Sequence, residues 1–307
     1  MRIAVIGAGG VGGYFGAKFA RAGHDVAFVA RGEHLDAMRE RGLRIESALG
    51  DIVLPKVVAT DDPLKLGAVD IVMLCVKLWD VERAASQVAP LVERGGVVIP
   101  FQNGIDSPDI LQRTLGESHV LGGVAYIAAA IRAPGIVAQT GSMAKLRVGA
   151  FDDRLAERAR AFVAACTTAD IDAEVATDIR RAIWEKFAFL TALSGMTALS
   201  RQPVGIVRGD PDLRAAFEAA LKETISVANA RSVALGDDFV ERQMRALDGL
   251  PAEMRSSMQN DLLAGRRLEA PWLCGRVAQL AAENAISAPV NATVYAGLKP
   301  FLHGEQR

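Results

Sequence analysis

Three groups of residues in this 307-residue chain have the types and spacing to do chemistry. The first is a lysine at the mouth of an apolar segment. In "WEKFAFLTALSGMTAL", Lys186 precedes fourteen residues, Phe187 to Ser200, that carry no charge. On a helix it shares a face with Ile179, Ile183, Leu190, Leu193 and Thr197. An ammonium there must snorkel to water, find a partner, or border a cavity. Bordering a cavity, it can stabilise or protonate an oxygen that gains negative charge. The second group is "GAGGVG" at 7–12, of the form G-x-G-x-x-G. Gly7 permits a tight turn, Gly9 lets backbone approach a pyrophosphate, and Gly12 allows a helix to lie close on a strand. The third is a set of polar residues at the ends of apolar runs: Arg31 after "FVA", Lys77 in "CVKLWD" and Asn103 in "FQNGI".

These residues need elements to hold them. "RIAVI" (2–6) reads as a strand, 11–22 as a helix, "DVAFVA" (25–30) as a strand, and 34–41 as a helix. "VDIVMLCV" (69–76) reads as a strand buried on both faces, 81–92 as a helix and 96–104 as a strand entering a turn. Strands alternating with helices predict a doubly wound parallel sheet. Three further strands are expected between 119 and 151, joined at Pro134-Gly135 and Gly141-Ser142 and extending or flanking that sheet. A helix near 153–166 and a strand at 171–175 follow. After Asp178 strand signals stop, and helices are expected near 178–200, 212–235, 238–247, 252–264, 272–285 and 290–302. The fold class is therefore α/β: an N-terminal Rossmann-type domain over 1–175, then an all-α domain over 176–307.

In that context the glycine motif opens a helix after a strand, as dinucleotide sites do. Gly7, Gly9, Gly10, Val11 and Gly12 are the expected cofactor-binding positions of the loop and helix start. An NAD site usually has an acid at the end of the second strand for the ribose 2′-hydroxyl. Here that place holds Arg31, which suits a 2′-phosphate and so favours NADP. Lys77 and Asn103 lie where ligands bind in open α/β sheets, at carboxyl ends of strands.

Bulk properties exclude several classes. A net charge of −1 argues against nucleic acid as the main partner. Three scattered cysteines and four scattered histidines make neither a disulfide framework nor a metal-ligand spacing, and fit a reducing cytoplasm. No run reaches the length of a membrane span. The apolar second half leaves room for a homodimer interface or simply a core.

Taken in order, "GAGGVGG", "AR" at 30–31, "VK" at 76–77, "QNG" at 102–104, "WEKF" at 184–187 and "SSMQNDLLAGRRLE" at 256–269 resemble the ketopantoate reductase (2-dehydropantoate 2-reductase) family over nearly the whole length. The resemblance implies NADPH-dependent reduction of a small 2-oxo acid. It implies that Lys186 is the catalytic lysine and Glu269 the acid near it and the substrate hydroxyl. By the same resemblance Ser257 binds the substrate carboxylate, Asn103 lies at the nicotinamide ribose and substrate edge, and Arg31 and Lys77 meet the 2′-phosphate. Lys186 is accordingly expected in the cleft between the domains.

Two departures concern the substrate. The family usually carries asparagines four and eight residues after the lysine; here stand Leu190 and Ser194. After Glu269 the chain reads "APWLCG" where the family tends to have isoleucine-aspartate and then asparagine-glycine. The hydride-transfer machinery is present, while ketopantoate selection is altered. Other readings are an NADPH-binding redox sensor with little catalysis, and a related dehydrogenase acting on a 3-hydroxy acid or an imine.

Overall fold

The computed structural model describes residues 1–304. The chain divides into two compact units, one of Met1–Gln102 and Asp106–Ala182, the other of Asn103–Ile105 with the chain from Ile183.

The first unit runs β1 (Arg2–Ile6), α1 (Gly10–Arg21), β2 (Asp25–Val29), α2 (Gly32–Arg41), β3 (Leu43–Ser47), β4 (Ile52–Leu54), β5 (Val58–Thr60), β6 (Ile71–Leu74), α3 (Val81–Val92), β7 (Val97–Pro100), α4 (Ser107–Leu115), β8 (Gly122–Ala133), β9 (Ile136–Gly149), α5 (Ala156–Thr168) and β10 (Asp172–Val175). Five strands form a wholly parallel sheet in the order β5-β2-β1-β6-β7. Its pleat sends alternate residues to opposite faces. Ile3 and Val5 of β1 join a core with Phe15, Phe19 and Phe28, whereas Ala4 and Ile6 join another with Val72, Leu74 and Val88. Because both faces are covered, β6 and β7 are buried at every position, which is why they read as unbroken apolar runs.

The segment from 119 to 151 turns at Pro134-Gly135 as expected but differs in its strand count. It forms two strands rather than three, and of the two expected arrangements they do not extend the first sheet but build a second, mixed one. Gly141-Ser142 does not turn the chain: β9 continues through it, and pairing with β8 shifts register between Ile127 and Ala128. β3 and β10 each pair with part of β9, and β4 with β3. Gly10, at the start of α1, lies against β8; a Cβ there would sit 2.1 Å from the Ala129 carbonyl oxygen.

α6 (Ile179–Ser200) leads into the second unit. There follow α7 (Val204–Gly209), α8 (Pro211–Ala230), α9 (Phe239–Gly249), α10 (Ser257–Leu263), α11 (Cys274–Glu283) and α12 (Pro289–Leu298). The helix expected over 252–264 is only α10, because Ser256 caps it: its Oγ accepts from the Gln259 N–H at 3.0 Å. From Phe187 to Ala198 most of α6 is buried on all sides, as a central helix must be. The Glu223 carboxylate of α8 accepts from the Val290 and Asn291 N–H groups, so it closes the start of α12. No helix among the described residues is long and apolar enough to cross a membrane.

Candidate active site

The first unit holds a pocket of about 340 Å³ at the carboxyl ends of its parallel strands. Gly7, Ala8 and Gly9 line it from the β1–α1 turn, Arg31 and His34 from α2 and the residue before it, and Lys77 from beyond β6. Gly7 adopts a φ of +96°, and a Cβ would lie 2.8 Å from the Cys75 backbone, so both conformation and space demand glycine. At Gly12 a Cβ would meet the Gly7 carbonyl oxygen at 2.3 Å, which is the close helix–strand approach the motif predicts. Nothing lies within 4 Å of a Cβ at Gly9, so this side of the turn is open to a ligand. The N–H groups that open α1, those of Gly10, Val11 and Gly12, have no carbonyl one turn earlier within the helix. This cradle fits a dinucleotide pyrophosphate.

Charges in the pocket sort themselves. Asp61 and Asp80 also line it, but Arg39 engages Asp61 at 3.3 Å and Arg83 engages Asp80 at 2.5 Å. Arg31 is exposed and has no ion pair among the described residues, while the Lys77 ammonium lies 5.6 Å from the Trp79 ring centre. Asp61, Asp80 and Arg83 were not legible as pocket residues, since nothing in their local spacing distinguishes them from surface charges.

The second unit brings Lys186, Asn103 and Glu269 together. Lys186 Nζ donates to Asn103 Oδ1 at 2.9 Å. The side chain is half-buried, and burial pushes its ammonium down to about 8, against the buried Glu269 carboxylate, which acts to raise it. Glu269 stands just before a short 3₁₀ turn, Ala270–Trp272, and is 6% exposed. Asn103 belongs with this unit although it follows β7 in the chain.

Leu190 is half-buried one turn along α6 from Lys186, and Ser194, one turn further, is fully buried. Ser257 is the exposed first residue of α10; capping falls to its neighbour Ser256, whose hydroxyl lies 2.7 Å from that of Thr197 on α6. Among the described residues, the buried hydroxyls of Thr191 and Ser194 and both amide atoms of Gln259 lack a hydrogen-bond partner. Each such orphan costs about 1–3 kcal/mol unless something pairs with it. Thr191 and Gln259 escaped the sequence reading because a polar residue in a helical pattern is usually solvated; only burial reveals them.

A family model described as "Ketopantoate reductase PanE/ApbA" matches residues 3–153, and one described as "Ketopantoate reductase PanE/ApbA C terminal" matches residues 178–301. The 2-dehydropantoate 2-reductase of Archaeoglobus fulgidus is 34% identical over 294 residues, 95% of each chain. A crystal structure of 2-dehydropantoate 2-reductase from Geobacter metallireducens GS-15 is similar with a TM-score of 0.91 and 30% identity, over 98% of this chain and 99% of that one. The ternary structure of D-mandelate dehydrogenase with NADH and anilino(oxo)acetate shares the fold, with a TM-score of 0.91 at 18% identity over 98% of both chains.

Proposed function

Because the chain belongs to the ketopantoate reductase family, and is thus an oxidoreductase acting on a CH–OH group, we propose that it reduces a 2-oxo acid to the 2-hydroxy acid with NADPH. The observation that carries this reading is the grouping of Lys186, Asn103 and Glu269 in the second unit. Bound NADPH would supply hydride to the substrate's carbonyl carbon. As charge builds on the carbonyl oxygen, the Lys186 ammonium stabilises it and delivers a proton. Asn103 Oδ1 holds that ammonium by accepting one of its three N–H bonds, which leaves two for other acceptors. Glu269 favours the protonated form, offsetting part of the desolvation that lowers it.

Cofactor choice rests on side chains, because the same fold holds NADH in the mandelate dehydrogenase. Arg31, exposed at the pocket rim, supplies positive charge for a 2′-phosphate, and Lys77 lines the same pocket. Arg31→Ala should weaken NADPH binding by roughly 1.5–3 kcal/mol, the scale of a charge-assisted hydrogen bond, and leave NADH nearly unchanged. Equal losses for both cofactors would remove the 2′-phosphate assignment. The activity itself is tested by following NADPH oxidation over 2-oxo acids, 3-oxo acids and imines. Turnover of the imines or 3-oxo acids, with no 2-oxo acid reduced, would refute the proposal.

A further inference from the structure

We infer that His34 is a positioning residue for the cofactor: a neutral imidazole that fixes the peptide plane at the centre of the glycine-rich loop. The inference rests on the dinucleotide reading of the first unit's pocket and concerns a residue outside the G-x-G-x-x-G motif.

His34 is 8% exposed, near the start of α2, and forms part of the pocket wall. Both ring nitrogens are engaged. Nε2 lies 2.9 Å from the Ala8 carbonyl oxygen, and Nδ1 lies 3.1 Å from the Gly135 backbone nitrogen. A backbone N–H can only donate, so Nδ1 must present its lone pair to Gly135. The ring proton is then on Nε2, which donates to Ala8. An imidazolium would set a second N–H against that of Gly135, so this geometry requires the neutral ring. Burial favours the same form by pushing the imidazole below its ordinary value, although the Ala8 bond opposes this.

Ala8 stands between Gly7 and Gly9, the two glycines of the turn. Its N–H, like that of Gly7, donates to the Val29 carbonyl at 3.0 Å. With its carbonyl held by His34, the residue is gripped on both sides. The Ala8 C=O and the Gly9 N–H belong to one planar trans peptide and point in opposite directions. Holding the oxygen toward α2 therefore sets the direction of the Gly9 N–H, beside which the turn is open to a ligand. Gly135 anchors the other side of the ring. It turns the chain between β8 and β9 with a φ of +78°, its carbonyl accepts from Arg44 N–H at 2.9 Å, and a Cβ there would lie 3.2 Å from that of Ala37 on α2. The imidazole thus ties the phosphate-binding turn to the second sheet.

Two conservative variants separate the two bonds. In His34→Gln the side-chain amide can still donate to Ala8 but no longer accepts from Gly135. In His34→Asn the carbonyl oxygen can still accept from Gly135, while Ala8 is released. We expect His34→Asn to weaken NADPH and NADH alike by roughly three- to tenfold, the worth of one net hydrogen bond, and His34→Gln by no more than about twofold. Dissociation constants for both cofactors and the melting temperature would be measured on the same preparations. Wild-type affinity in His34→Asn, or losses in the two variants that simply follow their melting temperatures, would overturn the positioning role. The equal effect on NADPH and NADH distinguishes this loop role from the 2′-phosphate role of Arg31, which concerns NADPH alone. A wild-type protein that binds neither cofactor would overturn both this inference and the dinucleotide reading.

Discussion

At the scale of single residues, Lys186 has two measurable signatures. In the proposed mechanism reduction uses its ammonium, so kcat/KM for the 2-oxo acid should fall as pH rises through about 8. A profile flat to pH 10 would separate this lysine from the proton transfer. Lys186→Met should lower kcat by about 10²–10⁴ and leave NADPH affinity nearly intact. It should also alter the pH dependence of stability. The folded protein holds this ammonium below the ordinary lysine value, so its penalty is fully present below about pH 8. The penalty is relieved as pH rises toward the unfolded value of roughly 10.4, because there the unfolded chain binds more protons. A melting-temperature difference between wild type and Lys186→Met that stays constant from pH 7 to 10 would contradict this. That a lysine sits at the mouth of an apolar helix was visible from spacing alone. Its bond to a residue 83 positions earlier was not, because no local pattern encodes a long-range contact.

At the scale of elements, we propose that α6 governs substrate choice. Where the family usually has two asparagines, Leu190 offers no hydrogen bond and Ser194 is fully buried. We expect kcat/KM for ketopantoate to lie below that for a 2-oxo acid with a more apolar tail, such as 2-oxoisovalerate. Leu190→Asn should shift that ratio toward ketopantoate by roughly 5- to 150-fold, the equivalent of about 1–3 kcal/mol for a restored partner. Side-by-side kinetics at saturating NADPH would check both, and an unmodified enzyme that already prefers ketopantoate would show that Leu190 does not govern selection. Ser194→Asn is the less informative change, since enlarging a fully buried residue strains its neighbours. The elements themselves were unevenly legible. β1, β2, β6 and β7 announced themselves as apolar runs, and α3 was read to the residue. β3, β4 and β5 are only three to five residues long, and α4 and α7 are short, so pairing and packing define them rather than periodicity. Gly141, with its φ of +77°, carries a turn signal within β9 that the long hairpin overrides.

At the scale of the whole molecule, the two cores are chemically separate tasks. The parallel sheet of the first unit presents the dinucleotide pocket, and the helices of the second hold the lysine and its partners. Saturating NADPH, at about 100 times its dissociation constant, should stabilise the folded state by roughly 2.7 kcal/mol. In hydrogen exchange the slowed amides should include those of the β1–α1 turn and the residues after β2 and β6. Exchange unchanged by NADPH in those three segments would place the cofactor elsewhere. The sequence shows a change in periodicity near 176, whereas the compact units divide between Ala182 and Ile183, and the membership of Asn103–Ile105 in the second unit could be found only from contacts.

That discontinuity bears on the order in which the molecule is made. Asn103 is synthesised 83 residues before the lysine that donates to it. At ribosomal rates of roughly 5–20 residues per second, several seconds pass between the two. During that interval the parallel sheet can form as far as β7, with three residues of the other unit extending from its end and their contacts still unmade. The amide that accepts from Lys186 is therefore laid down early and waits for a helix that does not yet exist. A chain that begins at Ile183 lacks Asn103 and has no second copy of it to offer, so the second unit made alone would carry Lys186 without this partner.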